Sequence, residues 1–158
     1  MKLECKQLIN VEENILNITT RWMYDWWGKR DKYTFEEVKC FMKHSMQKDK
    51  LPQTYGLFLD DTIIGMYQFA YEDLSIRPDI YPWLANVYID KEYRGKGYGK
   101  KLLENVEKTA QENIAFEEIF LYTKHIGLYE KFGWKFVSDF DTYSKEPRMQ
   151  RLYKLTLK

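Results

Sequence analysis

Residues 94–99 read Arg-Gly-Lys-Gly-Tyr-Gly, and the chemistry of such a stretch lies in its backbone. Three glycines let an anion reach main-chain N–H groups without meeting a β-carbon. The loop follows a strand-like run, Ala85-Asn86-Val87-Tyr88-Ile89, whose residues are β-branched or aromatic. It precedes Leu102, Leu103, Val106 and Ala110, which recur at helical spacing. A helix beginning there leaves its first N–H groups unpaired, and the helix dipole adds positive potential behind them. Strand, glycine loop and helix in that order form a phosphate site. Five basic and one acidic side chain within residues 91–101 give it a local charge of +4.

Two nucleotide-binding patterns fail here. A dinucleotide fingerprint needs a third glycine three residues after the second. Counted from Gly95 that position is Lys100, and counted from Gly97 it is Leu102. A Walker loop needs glycine five residues before its Gly-Lys pair and Ser or Thr after it. Arg94 and Lys101 occupy those positions.

The elements that must carry this loop follow from pattern. Residues 2–9 form a weakly alternating first strand. Ile15, Ile18, Trp22 and Trp26 predict a helix ending near Gly28. Thr34 with Glu37 has capping-box form and opens a second helix carrying Phe35, Val38, Phe41 and Met42. Residues 55–71 predict a hairpin turning at Asp60-Asp61, and residues 72–82, with Pro78 and Pro82, a loop. A strand near 83–90, a helix to about 113 and a strand over 119–122 come next. A short helix over 126–132 is closed by Gly133, and two final strands cover 134–140 and 149–157. This order makes a mixed α/β layered (α+β) domain spanning residues 1–158, with a central sheet of six to seven strands and about four helices.

Composition narrows the function. The 158 residues carry 25 basic and 24 acidic side chains, net +1, so no global field favours nucleic acid or an anionic membrane. Cys5 and Cys40 are the two cysteines, in keeping with a reducing, cytoplasmic setting. Charges interrupt the N-terminal segment where a signal peptide needs apolar residues, and no apolar run is long enough to span a bilayer.

Residues 87–99, Val-Tyr-Ile-Asp-Lys-Glu-Tyr-Arg-Gly-Lys-Gly-Tyr-Gly, resemble the acetyl-CoA-binding motif of the GNAT superfamily of N-acetyltransferases. Its Arg/Gln-x-x-Gly-x-Gly/Ala ending is matched by Arg94, Gly97 and Gly99. Residues 127–134, Gly-Leu-Tyr-Glu-Lys-Phe-Gly-Trp, are similar to a later segment of the same superfamily. Two departures stand out: Lys91 replaces a frequent proline, and the Asn that often precedes the second segment is missing. The resemblance implies the GNAT fold and acetyl-CoA as cosubstrate, with no metal. It implies that the N–H groups of Gly95, Lys96, Gly97, Tyr98 and Gly99 hold the pyrophosphate, and that Arg94 is also a cofactor-binding residue. Val87, Tyr88 and Ile89 would pair their backbone with the pantetheine arm and present an oxyanion donor.

The same resemblance makes Tyr129 the candidate general acid, since tyrosine stays protonated while a thiolate of pKa about 8.5 departs. No general base is assigned. Glu72, Asp73 and Asp79 flank the expected acceptor loop and His125 stands near Tyr129, but each also reads as a solvated surface group. Trp22, Trp26 and Trp27, with Tyr81 and Trp83, are candidate acceptor-pocket walls, although a helical tryptophan stripe more often belongs to a core. The expected reaction moves acetyl from acetyl-CoA to a primary amine on a small molecule or peptide, by direct attack in a ternary complex. Neither nucleic acid nor membrane is an expected partner, and a homodimer is left open. The competing reading is a non-catalytic acyl-CoA sensor.

Overall fold

The computed structural model describes residues 1–144 and 148–157. Seven strands form one mixed sheet: β1 (Leu3–Gln7), β2 (Gln53–Leu59), β3 (Thr62–Ala70), β4 (Trp83–Ile89), β5 (Glu118–Thr123), β6 (Lys135–Asp141) and β7 (Met149–Thr156). Their order is β1-β2-β3-β4-β5-β7-β6. Three α-helices accompany them: α1 (Glu13–Met23), α2 (Phe35–His44) and α3 (Tyr98–Asn113). The short helix expected over 126–132 is a single 3-10 turn, Tyr129–Phe132, closed as expected by Gly133 at φ +88°. Five residues between glycines leave no room for more than one turn.

The chain divides into two compact units. The first comprises Met1–Gln68 and Asn86–Leu102. In it β1 runs antiparallel to β2 from Leu3↔Leu59 to Gln7↔Tyr55, and Asp60, at φ +54°, turns the β2–β3 hairpin. The Thr34–Glu37 capping box is fully formed, with Glu37 N–H donating to Thr34 Oγ1 at 3.1 Å and Thr34 N–H to Glu37 Oε1 at 2.9 Å. It satisfies two of the donors that a helix start leaves unpaired. Leu16, Trp22, Met23, Val38 and Met42 bury the apolar faces of α1 and α2 against Phe58, Ile63 and Met66 of the hairpin.

Helix α1 does not end as a plain α-helix. Residues Tyr24–Gly28 form a π-helical turn, with Lys29 N–H donating to Tyr24 O at 2.9 Å. Gly28 is required there, because a β-carbon would lie 2.9 Å from Val38 Cγ2. Trp22, at the end of α1, is 6% exposed, and Trp26, inside this turn, is 45% exposed.

The second unit comprises Phe69–Ala85 and the chain from Leu103 onward. Here β5 pairs antiparallel with β7, β6 with β7, and β4 parallel with β5 at Trp83↔Phe120. Trp83, Leu74, Ile80 and Leu152 form a core of their own, and Trp83 Nε1–H donates to Ile80 O at 2.8 Å. Trp83, fully buried, is therefore a core residue and not a pocket wall.

Candidate functional site

Asp90 and Arg94 set the geometry between β4 and the glycine loop. Asp90 N–H continues the sheet, donating to Ile64 O at 2.8 Å. Its carboxylate caps the 3-10 turn Lys91–Tyr93 by accepting from Glu92 N–H at 2.9 Å, and its other oxygen accepts from Trp22 Nε1–H at 3.1 Å. Arg94 then folds back. Its Nε–H donates to Ile89 O at 2.8 Å, and its guanidinium carbon lies 5.0 Å from the Tyr88 ring centroid. Strand end and loop start are thus tied together by charge-assisted bonds.

Gly95 and Gly97 adopt φ +76° and +84°, the left-handed region that favours glycine. Apart from the adjoining residues of the chain, no protein atom lies within 4 Å of where a β-carbon would sit on either. The space beside both glycines is therefore open, a β-carbon there would take up part of it, and α3 begins at Tyr98, so its first N–H groups follow directly on the loop. Lys91, Arg94, Lys96, Lys100 and Lys101 give the loop and its flanks a surplus of positive charge. These features fit the pyrophosphate of coenzyme A. The N–H groups of residues 95–99 would hold it.

Strand β4 changes character at Asn86. Trp83, Leu84 and Ala85 are buried, whereas Asn86, Val87, Tyr88 and Ile89 are half-buried. Asn86 itself has φ +52° in mid-strand. Its side chain is held from β3, with Asn86 Nδ2 donating to Gln68 Oε1 at 2.6 Å. Sequence reading missed both residues, and a polar amide inside a β-branched run is the one signal that pointed to them. Tyr88 packs between Trp22 and Trp26, with ring centroids 5.4 and 5.6 Å away. Of the tryptophans considered as pocket walls, Trp22 is core, Trp27 is half-buried and Trp26 is exposed.

Tyr129 lies in the second unit and opens the 3-10 turn. It is 8% exposed, packed edge-on to Trp134 at 6.1 Å and tilted against Tyr153 at 6.2 Å. Burial pushes its phenol up to about 12. The segment that lacks the expected Asn is organised by Glu130 instead. Glu130 Oε1 accepts from Gly127 N–H at 3.1 Å, and Oε2 accepts from the Tyr153 hydroxyl at 3.0 Å. Arg151 completes the cluster, its Nε donating to the same hydroxyl at 2.8 Å.

The remaining titratable candidates separate clearly. Asp79 is bound by Arg77 through bonds of 2.9 and 2.8 Å, which hold its carboxyl below the usual range. Glu72 and His125 are exposed. Asp73 is half-buried beside Tyr122, whose hydroxyl donates to Asp73 O at 3.2 Å, and burial pushes the Asp73 carboxyl up to about 7. Cys5 and Cys40 are both free thiols, and among the described residues no three His, Cys, Asp or Glu side chains group as metal ligands. No helix among the described residues is long and apolar enough to cross a membrane.

The profile of the Acetyltransferase (GNAT) family matches residues 13–134. The chain belongs to the GNAT family. A spermine/spermidine N(1)-acetyltransferase of Bacillus subtilis (strain 168) is 28% identical over 104 residues, covering 61% of this chain and 68% of that protein. Among solved structures, a spermidine N-acetyltransferase chimera from Vibrio cholerae and hSSAT shares the fold at TM-score 0.75 and 14% identity, over 99% of this chain and 96% of the other. An acetyl-CoA-bound GNAT acetyltransferase from Elizabethkingia anophelis matches at TM-score 0.62 and 14% identity, over 98% of both chains. The expected fold and family are borne out. The GNAT chain is an acetyl-CoA-dependent N-acetyltransferase.

Proposed function

We propose that this GNAT enzyme transfers acetyl from acetyl-CoA to a primary amine of an aliphatic polyamine, by direct attack with both substrates bound. One observation carries the donor half of this reading. The loop at Gly95 and Gly97 is open where β-carbons would stand, at the start of α3 and beside the Arg94–Ile89 tie. The acceptor class is supported by the Bacillus relatives, which are named for spermine and spermidine.

In this reading the N–H groups of residues 95–99 hold the pyrophosphate, and the Val87–Ile89 backbone aligns the pantetheine arm as a strand would. An N–H donor at Val87 faces the acetyl oxygen, where negative charge develops. Tyr129, kept protonated by its burial, donates toward the departing sulfur. The carbon–nitrogen bond forms as the carbon–sulfur bond breaks. Sulfur takes its proton from Tyr129, the attacking nitrogen releases one to solvent, and Tyr129 takes one back from solvent, so the enzyme ends as it began.

The test is thiol release from acetyl-CoA across spermine, spermidine, aminoglycosides, amino acids and peptides. Spermine and spermidine are expected to give the highest kcat/KM. Faster turnover of a peptide or aminoglycoside would overturn the acceptor class. Tight CoA binding with no release on any amine would leave a sensor in place of an enzyme.

A further inference from the structure

We infer that Gln68 is a positioning residue for acetyl transfer, acting through Asn86 to fix the left-handed turn in β4 that aims the Val87 N–H. This rests on the reading above, in which the backbone after Asn86 faces the acetyl group. Gln68 lies on β3 and is 2% exposed. A primary amide so deeply buried is retained only when its donors and acceptors are matched.

Here they are matched in one continuous direction. Asn86 Nδ2 donates to Gln68 Oε1 at 2.6 Å, and Gln68 Nε2 donates to Thr54 Oγ1 at 3.0 Å. The Thr54 hydroxyl then donates to Ser45 O at 2.8 Å, on the residue that ends α2. Thr54 and Ser45 are as buried as Gln68. Bonds in such a chain polarise one another, which stiffens the whole. The relay therefore anchors Asn86 to two elements that take no other part in the candidate site.

Asn86 needs an anchor. A left-handed φ of +52° inside a strand is unfavourable for any residue with a β-carbon, and Asn tolerates it better than most. One residue in that conformation interrupts the pleat and turns the next peptide away from the direction that alternation would give it. That next N–H belongs to Val87. Without the Gln68 bond, Asn86 relaxes toward ordinary strand geometry and the Val87 donor swings off target. The loss then falls on turnover and spares the cofactor grip, which is made at residues 94–99.

Four variants test this: Gln68→Met, Asn86→Ala, Asn86→Gly, and Gln68→Met combined with Asn86→Gly. Gln68→Met is expected to lower kcat about tenfold while the Kd for acetyl-CoA stays within about twofold. Asn86→Ala should lose about fivefold more kcat than Asn86→Gly, because glycine holds a positive φ without a side-chain bond. For the same reason Gln68→Met should cost less than about threefold in the Asn86→Gly background. With acetyl-CoA bound, amide exchange by NMR should quicken at Val87 in Gln68→Met and stay unchanged at Leu57 of β2. Equal losses for Ala and Gly, a Gln68→Met cost independent of background, kcat and Kd failing together, or unaltered exchange at Val87 would each overturn the inference. Should Gln68→Met fail to fold, the Ala/Gly comparison decides alone. The exchange measurement needs no turnover, so failure of the proposed reaction is separable from failure of the Asn86 anchor.

Discussion

Arg94 and Ile89 are joined side chain to backbone: the Arg94 Nε–H reaches the Ile89 carbonyl at 2.8 Å, across the 3-10 turn that separates them. That bond uses one of the five N–H donors of a guanidinium. Those on the two Nη atoms have no protein acceptor among the described residues. Arg94 can therefore brace the loop with one face of its fork and offer the rest to an anion. Tyr88, 5.0 Å away, holds the fork flat by cation–π contact.

Replacing Arg94 follows from this. Arg94→Ala should weaken acetyl-CoA binding by about tenfold or more, the usual size of a lost charge-assisted bond. Arg94→Lys keeps the charge but cannot brace and bind in one plane, so it should recover only part of that loss. Isothermal titration with acetyl-CoA measures both. Equal affinity in Lys and wild type would show that charge alone matters.

Gly97 and Gly65 make a matched pair in which space and strain are separated. At Gly97 a β-carbon meets nothing within 4 Å, so Gly97→Ala should cost only the positive-φ strain, about 1–2 kcal/mol of stability. Its larger effect should fall on acetyl-CoA affinity, because the new methyl occupies the cradle. At Gly65 a β-carbon would lie 2.7 Å from Ile89 Cδ1 and 2.8 Å from Tyr88 O, on the β3–β4 contact. Gly65→Ala should therefore lower stability by about 1–3 kcal/mol through overpacking. Thermal melts and cofactor titrations run side by side would distinguish the two. A Gly97→Ala protein that binds acetyl-CoA as well as wild type would remove the cradle from the argument.

Much of this was legible where the determinant is local. The Thr34–Glu37 box, the Asp60 turn, the Gly133 cap and the strand centres each depend on a few adjacent residues, and all lie where the pattern puts them. The loop at residues 94–99 was legible for the same reason. What escaped depends on register or on a change of helical pitch. Gln68 and Asn86 are 18 residues apart and meet only because β3 lies beside β4. Trp22 and Trp26 are spaced for one helical face and both pack against Tyr88, but Trp26, inside the π turn at Tyr24–Gly28, stays 45% exposed. Glu130 took over the organisation of its segment through Tyr153, a residue 23 positions away on β7.

Asp73 gives a prediction in pH. Burial raises its folded-state pKa to about 7, against about 3.9 when unfolded. The folded chain thus holds this proton more tightly. Its contribution to stability is full at pH below about 4 and is lost progressively as pH rises toward about 7. Asp73→Asn, which cannot ionise, should melt higher than wild type at pH 7–8, with the gain shrinking toward pH 4. Thermal scans across that range give the answer directly. Parallel melting curves for the two proteins at every pH would show that the carboxyl does not titrate in this window.

Tyr129 carries a phenol that burial pushes up to about 12. Two consequences can be checked separately. In catalysis, Tyr129 stays protonated throughout pH 6–10, so no alkaline fall of kcat in that range should arise from it. Tyr129→Phe should lower kcat by about tenfold or more, the scale of a lost proton donor, with acetyl-CoA affinity nearly unchanged. In folding, the raised pKa means that the unfolded chain releases this proton first, near pH 10. The stability tied to Tyr129 is therefore complete below pH 10 and is lost as pH climbs from 10 toward 12. Tyr129→Phe should flatten that alkaline loss while leaving melts at pH 7 within a few degrees of wild type. Stopped-flow thiol release and alkaline melts together decide it. Wild-type turnover in Tyr129→Phe would dismiss the residue as the acid, whereas lost turnover with an unaltered alkaline melt would keep the acid and dismiss the burial argument.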